Sequence, residues 1–159
     1  MTPSHADRLS SLIIETLERT AQRGVIVSGW GGLGSGPLPS TIFHVRDVPH
    51  EWLFPRMRAI VHHGGSGTTG AALRSGVPSV VVPLSFDQPY WGRRVAALGV
   101  GTEPIPRLKL TTDRLVTAIN RAIGDEGLCA RAAQLGAALR AEHGVETAVE
   151  VVESVEGRG

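Results

Sequence analysis

The chain has 159 residues, of which 42% are hydrophobic and 19% charged, and its formal net charge is +1. This length suits one globular domain, so residues 1–159 are expected to form a single domain. So balanced a charge gives no indication of a nucleic-acid or membrane-surface binder. No apolar run approaches the roughly 18 residues of a membrane span. Cys129 is the single cysteine, which excludes an internal disulfide, and the first residues lack a signal-peptide pattern, so a cytoplasmic location is expected.

Short apolar runs alternate along the chain with segments of helical periodicity. Strands are predicted over Val25–Val27, Thr41–Val45, Ala59–Val61, Ser79–Val82 and Val100–Thr102. Helices are predicted over Ser4–Arg23, with Gly24 as its C′ residue, over Glu51–Met57, from the glycine-rich turn to about Arg74, and over Pro89–Leu98, Thr112–Ile123, Glu126–Glu142 and about Val145–Glu153. This alternation predicts an α/β fold, Rossmann-like and doubly wound, with a mainly parallel sheet and helices on both faces.

A glycine-rich turn, HHGGSGTT at residues 62–69, joins the third predicted strand to the following helix. Small residues let the backbone approach a ligand, and the N–H groups of a first helical turn have no partner inside the helix. The turn therefore indicates an anion site, above all for phosphate. A turn of this kind often serves packing alone, and this one lacks the GK[ST] ending of a P-loop.

Polar side chains also follow the predicted strand ends, where ligands bind in parallel α/β sheets. These residues are His62, Ser66, Ser85, Asp87 and Gln88. The predicted fold and the predicted site therefore agree.

Two longer stretches carry a family resemblance. They are VHHGGSGTTGAAL from Val61 and GVPSVVVPLSFDQPYWGRRVAALGVG from Gly76, with SGWGGL and DVPHEWLFPR upstream. Together they resemble the donor-binding, C-terminal domain of two-domain GT-B nucleotide-sugar glycosyltransferases. The most similar branch comprises the sterol glucosyltransferases and the bacterial enzymes that glycosylate macrolide and glycopeptide natural products, and a bacterial source is expected. The abundance of Ala, Gly, Val and Arg beside few Lys indicates a GC-rich genome. The resemblance covers about residues 25–101, and so long an ordered set of motifs is far more specific than a lone glycine pattern.

The resemblance implies a role for individual residues. The family's diphosphate site is matched by His62, Gly65, Ser66, Gly67 and Thr68. The pair that hydrogen-bonds the hydroxyls of the transferred sugar is matched by Asp87 and Gln88. The nucleoside pocket is matched by Trp30, in its lining loop, and by Val48, where main-chain groups read the base edge.

Several of these residues also have a purely structural interpretation. Asp87 is suited to capping the helix at Pro89. Trp30 is suited to a core position within its loop. Trp91 is expected to be structural, and His63 only a neighbour of the strand end. The histidine spacings match no metal pattern, so neither a metal nor a cofactor is expected.

The resemblance implies an inverting, metal-independent transfer of a hexose from UDP or dTDP to a lipophilic acceptor, a sterol or a natural product. The acceptor-binding domain, which supplies the base in this family, is not matched within residues 1–159. We therefore expect a donor-binding half that is inactive alone and has no catalytic residue of its own. Two alternatives remain. One is a non-catalytic subunit that complements a separate acceptor-binding domain or a second copy, and the other is a degenerate oligomerising module of the same fold.

The family's first strand, which is central in the sheet order, is also not matched. Without it, the strands at Val25 and Ala59 each have an unpaired edge. Three arrangements would remove these edges: direct pairing of the two strands, a strand from a second copy, or a strand from a partner chain.

Overall fold

The computed structural model describes residues 5–28 and 37–156, with only the backbone of His5, Ala6 and Glu156. Its strands are β1 (Gly24–Val27), β2 (Ile42–Val45), β3 (Ile60–His62) and β4 (Ser79–Val81). Its α-helices are α1 (His5–Arg19), α2 (His50–Leu53), α3 (Ser66–Ser75), α4 (Gln88–Ala97), α5 (Thr112–Gly124), α6 (Glu126–Ala141) and α7 (Gly144–Glu156), with 3-10 helices at Phe54–Arg56 and Arg107–Lys109. The order of strands and helices confirms the predicted α/β class.

Helix α1 ends earlier than its sequence pattern predicts. Ala21 has a positive φ of 52°, and the Gln22 N–H donates to the Leu17 carbonyl at 3.0 Å. The left-handed Ala21 and the hydrogen bond between Gln22 and Leu17 together form the C-terminal cap of the helix. The prediction that Gly24 is the C′ residue is therefore wrong, since Gly24 begins β1.

Two further predicted elements are corrected. The predicted helix at 51–57 is α2 followed by the 3-10 turn Phe54–Arg56, because Pro55 has no N–H to continue an α-helix. The predicted strand Val100–Thr102 is one isolated bridge between Ser79 and Gly101. Prolines at 104 and 106 follow it closely, and proline cannot donate to a ladder.

The paired strands are parallel, but they form two separate two-stranded sheets, β1–β2 and β3–β4. Among the described residues, β1 and β3 make no ladder with each other, so direct pairing does not close the expected gap. The two sheets nevertheless share a core, because Val27 packs against the cluster that contains Ile60. Val25 is 36% exposed and Val61 45% exposed, whereas strands of parallel sheets are ordinarily buried on both faces.

Helices α5 and α6 cover the β3–β4 sheet. Leu115 and Ile119 of α5 pack against Val80, and α6 contributes Ala132 to the cluster around Val81. Helix α7 lies outside this core and all its described side chains are exposed. Within the described ranges, no helix combines the length and apolarity needed to cross a membrane.

Strands β3 and β4 end at the same edge of their sheet. His62 lies opposite Val81 in the register, and the Val82 N–H donates to the His62 carbonyl at 2.9 Å. The chain then leaves β3 through the glycine-rich turn into α3, and leaves β4 through residues 82–87 into α4. The fold therefore brings together the two loops that contain the predicted site residues.

Candidate functional site

His62 is a buried polar side chain at this edge, with 8% of its surface exposed. Its Nδ1 accepts a hydrogen bond from the Gly64 N–H at 3.2 Å. Its Nε2 is buried and has no hydrogen-bond partner among the described residues. Burial, and then the charges of His63 and His50, lowers the pKa of His62 from 6.5 to about 4. The imidazole is therefore neutral at pH 7, because burial disfavours its charged form.

Gly64 occupies a position that only glycine fits. Its φ is +92°, and a Cβ there would lie 2.8 Å from Val81 Cγ1 and 3.1 Å from the Gln88 carbonyl oxygen. The glycine therefore allows the turn after β3 to contact both β4 and the start of α4.

Helix α3 begins at this turn without a side-chain cap. Gly65 is its N-cap and makes no capping bond, and the first N–H with a partner in the helix is that of Thr69, which donates to the Gly65 carbonyl at 2.8 Å. In the part of the chain that the structure describes, the N–H groups of Ser66, Gly67 and Thr68 thus have no intrahelical acceptor. The positive end of the helix dipole adds to these donors, which together favour an anion.

His63 lies over the same helix end. A Cβ on Gly65 would be 2.5 Å from His63 Nε2, so the ring rests directly on this glycine. The side chain of His63 is exposed, in contrast to that of His62. The His63 ring thus packs on Gly65, and no hydrogen bond holds it among the described residues.

Asp87 occupies the N-cap position of α4 but does not cap it with its side chain. Its Oδ2 accepts a hydrogen bond from the Trp91 indole N–H at 2.8 Å. Capping therefore does not explain this carboxylate. Oδ1 is left as an acceptor at the exposed edge of the sheet.

Gln88 has a fixed amide orientation. Its Oε1 accepts from the backbone N–H groups of Leu84 at 2.8 Å and Ser85 at 3.1 Å. Because backbone N–H groups only donate, the oxygen must face them and the NH₂ group points away from this loop. Asp87 and Gln88 therefore present an acceptor and a donor side by side.

The residue before this pair has a strained backbone. Phe86 has a φ of +55° and is 94% exposed. A bulky residue rarely adopts this left-handed conformation. It forms the first central position of the turn in which the Gln88 N–H donates to the Ser85 carbonyl at 3.3 Å, and this tight turn sets Asp87 at the start of α4.

The residues expected to bind the nucleoside are less defined. The half-buried Val48 packs its side chain against the cluster around Leu53 and Ile60. Trp30 lies outside the described residues. Within the described ranges, no three His, Cys, Asp or Glu side chains lie close enough together to hold a metal ion.

Two roles at this edge escape sequence reasoning. Gly64 holds the His62 ring through its N–H, and Trp91 holds Asp87. The signal for Trp91 is its spacing of four residues from Asp87, since residues so spaced are neighbours on a helix. The role of Gly64 depends on a φ value and a ring orientation, which no sequence pattern specifies.

Comparison with known proteins identifies the family. The family model described as "Erythromycin biosynthesis protein CIII-like, C-terminal domain" matches residues 25–156. The chain belongs to this family. The predicted resemblance to GT-B glycosyltransferases is thereby confirmed.

Individual relatives come from plants and bacteria. The chain is 46% identical over 144 residues to a sterol 3-beta-glucosyltransferase of Arabidopsis thaliana, which covers 90% of this chain and 22% of the relative. It is 38% identical over 135 residues to the O-mycaminosyltylonolide 6-deoxyallosyltransferase of Streptomyces fradiae, covering 85% of this chain and 31% of the relative. Fungal sterol 3-beta-glucosyltransferases match as well, so the expected bacterial source finds no support here.

Solved structures show the same fold. The glycotransferase of kitacinnamycin matches with a TM-score of 0.81 and 29% identity, over 92% of this chain and 38% of that one. The glycosyltransferase VinC, in a complex with DTDP, matches with a TM-score of 0.69 and 37% identity, over 78% of this chain and 31% of that one. The chain thus spans less than half the length of the proteins it matches.

Proposed function

We propose that this chain binds a nucleoside-diphosphate sugar, UDP- or dTDP-hexose, as the donor half of an inverting, metal-independent glycosyltransferase of the cytoplasm. The acceptor is a lipophilic small molecule, a sterol or a natural product. The relatives named sterol 3-beta-glucosyltransferase and O-mycaminosyltylonolide 6-deoxyallosyltransferase support this acceptor class. The solved VinC complex with DTDP supports a nucleoside diphosphate as ligand.

One observation carries the proposal: the turn before α3 contacts the start of α4. A Cβ on Gly64 would lie 3.1 Å from the Gln88 carbonyl oxygen. The free N–H groups at Ser66 and Gly67 suit a diphosphate, and the acceptor–donor pair Asp87–Gln88 suits vicinal hydroxyls. In a nucleotide sugar a diphosphate and a sugar ring are joined by one bond, so adjacent sites for the two fit that substrate.

In the proposed reaction, an acceptor hydroxyl oxygen bonds to the anomeric carbon while the bond from that carbon to the diphosphate breaks. The electron pair of the broken bond stays on the diphosphate oxygen, and the hydroxyl proton passes to a base. Ser66, Gly67, Thr68 and His62 stabilise the charge that develops on the leaving diphosphate. Asp87 and Gln88 orient the sugar. The base belongs to an acceptor-binding part outside residues 1–159, so this chain alone transfers no sugar.

Titration calorimetry with UDP, dTDP and their glucose derivatives tests the proposal. We expect at least one of them to bind with a dissociation constant below about 1 mM, the upper range of enzyme substrates. His62→Ala should weaken binding of the free diphosphate about tenfold or more through loss of a hydrogen bond to a charged group. His44→Ala is the matched control, because this exposed histidine lies on β2 of the other sheet, where its ring bonds Ser28 at 2.9 Å. A folded protein with no affinity for any of the four ligands would refute the proposal.

A second candidate is a complementing subunit that works with a separate acceptor-binding domain or with a second copy. Among the described residues, β1 pairs with β2 alone and β3 with β4 alone, which favours a further strand from another source. Helix α7 carries exposed valines, among them Val145, which is 76% exposed, and Val155, which is 68% exposed. These side chains favour an interface in which another chain covers α7. Co-purification with an acceptor-binding protein and the appearance of transfer activity in the mixture would support this version.

A further inference from the structure

We propose that Gly64 is a positioning residue that holds His62 as an uncharged imidazole with its hydrogen on Nε2, so that the site offers the diphosphate an N–H donor and no side-chain charge. The inference rests on the proposed function for the identity of the ligand. The state of the imidazole itself is a property of the free protein.

The hydrogen bond fixes the position of the ring proton. A backbone N–H only donates, and that of Gly64 lies 3.2 Å from His62 Nδ1. Nδ1 must therefore be the acceptor nitrogen, which leaves the single hydrogen of the neutral ring on Nε2. An imidazolium would carry a hydrogen on both nitrogens and would oppose the Gly64 N–H.

The direction of the Gly64 N–H is imposed by its surroundings. The φ of +92° turns this peptide toward the ring, and Val81 Cγ1 and the Gln88 carbonyl leave no room for a Cβ. Residues with side chains rarely adopt this conformation. The glycine therefore acts on the ligand through His62.

The charged groups around the ring also favour its neutral form. His63 and His50 both disfavour a positive charge on His62. The carboxylates on the adjoining helices are Glu51 of α2 and Asp87 before α4, and both are exposed. Helix α3 has no ionisable residue before Arg74, and β4 has none.

The result is a buried donor without an acceptor. Buried polar groups are nearly always bonded, and an unmet one destabilises the free protein. His62 Nε2–H is such a donor among the described residues, at the strand end that leads to the N-terminus of α3. An oxygen of the bound diphosphate supplies the acceptor, while the α3 helix end supplies the positive potential.

Nitrogen-15 NMR of the six histidines tests the tautomer in the free protein, with His62→Gln to assign the ring. We expect Nδ1 to be unprotonated and Nε2 protonated from pH 5.5 to 8. An imidazolium at pH 6, or a hydrogen on Nδ1, would overturn the inference. Gly64→Ala should convert the ring to a mixture of tautomers. Gly70→Ala is the matched control, since a Cβ there meets nothing within 4 Å, and it should leave the tautomer unchanged.

A binding measurement separates an uncharged donor from a charged one. The dTDP affinities of the natural chain and of His62→Ala are compared at pH 6 and pH 8, so that titration of dTDP itself affects both measurements alike. We expect the same loss, about tenfold or more, at both pH values. A loss that grows as the pH falls would show a charged His62 and would overturn the inference. Absence of dTDP binding to the natural chain would refute the proposed function, while the NMR result would still decide the tautomer.

Discussion

The indole N–H of Trp91 donates to Asp87 Oδ2 at 2.8 Å, one helical turn further along α4. This bond orients the Asp87 carboxylate, which does not cap the helix with its side chain. The rings of Trp91 and Tyr90 contact edge to face, with centroids 5.2 Å apart, which restrains the indole. Asp87 is therefore held through Oδ2 from the helix side, and Oδ1 is the oxygen proposed to accept from the sugar.

Removal of this hydrogen bond should weaken binding of the sugar nucleotide and leave binding of the free diphosphate unchanged. Trp91→Phe keeps an aromatic ring but loses the donor, so Asp87 gains freedom that binding must then restrict. We expect the affinity for UDP- or dTDP-glucose to fall by about 1 kcal/mol, roughly fivefold, and that for the free diphosphate to stay the same. Calorimetry with both ligands measures the two effects separately.

Trp52→Phe is the matched control for this prediction. Trp52 is 53% exposed and its ring lies under Arg56, at 4.5 Å, away from Asp87. Its substitution should change neither affinity. If Trp91→Phe lost the same affinity for the sugar nucleotide and for the free diphosphate, Trp91 would contribute to the stability of the fold and not to sugar binding.

The buried His62 should make stability depend on pH. Its pKa in the folded chain is lowered to about 4 from 6.5, so between these values the unfolded chain binds a proton that the folded chain does not. The contribution of His62 to the free energy of unfolding should therefore be constant well above pH 6.5 and fall as the pH drops through 6.5 toward 4. For this one group the fall is at most about 3 kcal/mol. Urea denaturation at pH 4.5, 5.5 and 7 measures it.

Two variants isolate the contribution of His62 to that pH dependence. His62→Gln cannot take up a proton, so the part of the fall in the free energy of unfolding between pH 7 and 4.5 that comes from His62 should be lost in this variant. His44→Gln removes an exposed histidine on β2 and should keep it. If His62→Gln retains the slope of the natural chain, the burial of a neutral His62 is not its origin.

Within the ranges that the structure describes, one edge of β1 and one edge of β3 have no paired strand, and amide hydrogen exchange should reveal these edges. The Ser28 N–H donates to Val45 of β2, and the Gly24 N–H donates to Thr41 just before β2. The N–H groups of Val25 and Val27 alternate with these and therefore point toward the gap. Likewise Ile60 donates to Pro78, and the N–H of Val61 points the other way. Open edges lack the hydrogen bonds that slow exchange.

In a dilute sample, the amides of Val25 and Val61 should therefore exchange at least about tenfold faster than those of Ile26 and Ile60. A strand from a second copy would slow them as the protein concentration rises. Equal protection of Val61 and Ile60 at every concentration would contradict an open gap.

Much of this fold follows from the sequence because its strands are short apolar runs bounded by glycine and proline. The turn at residues 62–69 and the pair Asp87–Gln88 are close in space because β3 and β4 are parallel neighbours, which the α/β pattern predicts. The sequence predicts a strand at Val100–Thr102, where the structure has a single bridge at Gly101. Hydrophobic periodicity does not indicate how far a hydrogen-bonded ladder extends.

The details of the site depend on groups that no local pattern reveals. The neutral state of His62 comes from burial and from one backbone N–H. The orientation of Gln88 comes from two N–H groups of the preceding loop. The strained φ of Phe86 contradicts the preference of its residue type, so the sequence there predicts the opposite conformation.

The most direct test of the donor site is amide NMR of the chain titrated with dTDP or UDP and then with the corresponding glucose nucleotide. The diphosphate alone should shift the backbone signals of Ser66, Gly67 and Thr68. The sugar nucleotide should in addition shift the side-chain amide of Gln88. Saturable shifts at these four residues, in this order, are the predicted result. Binding that leaves the α3 helix end unshifted, or that moves Gln88 equally with and without the sugar, would contradict the account.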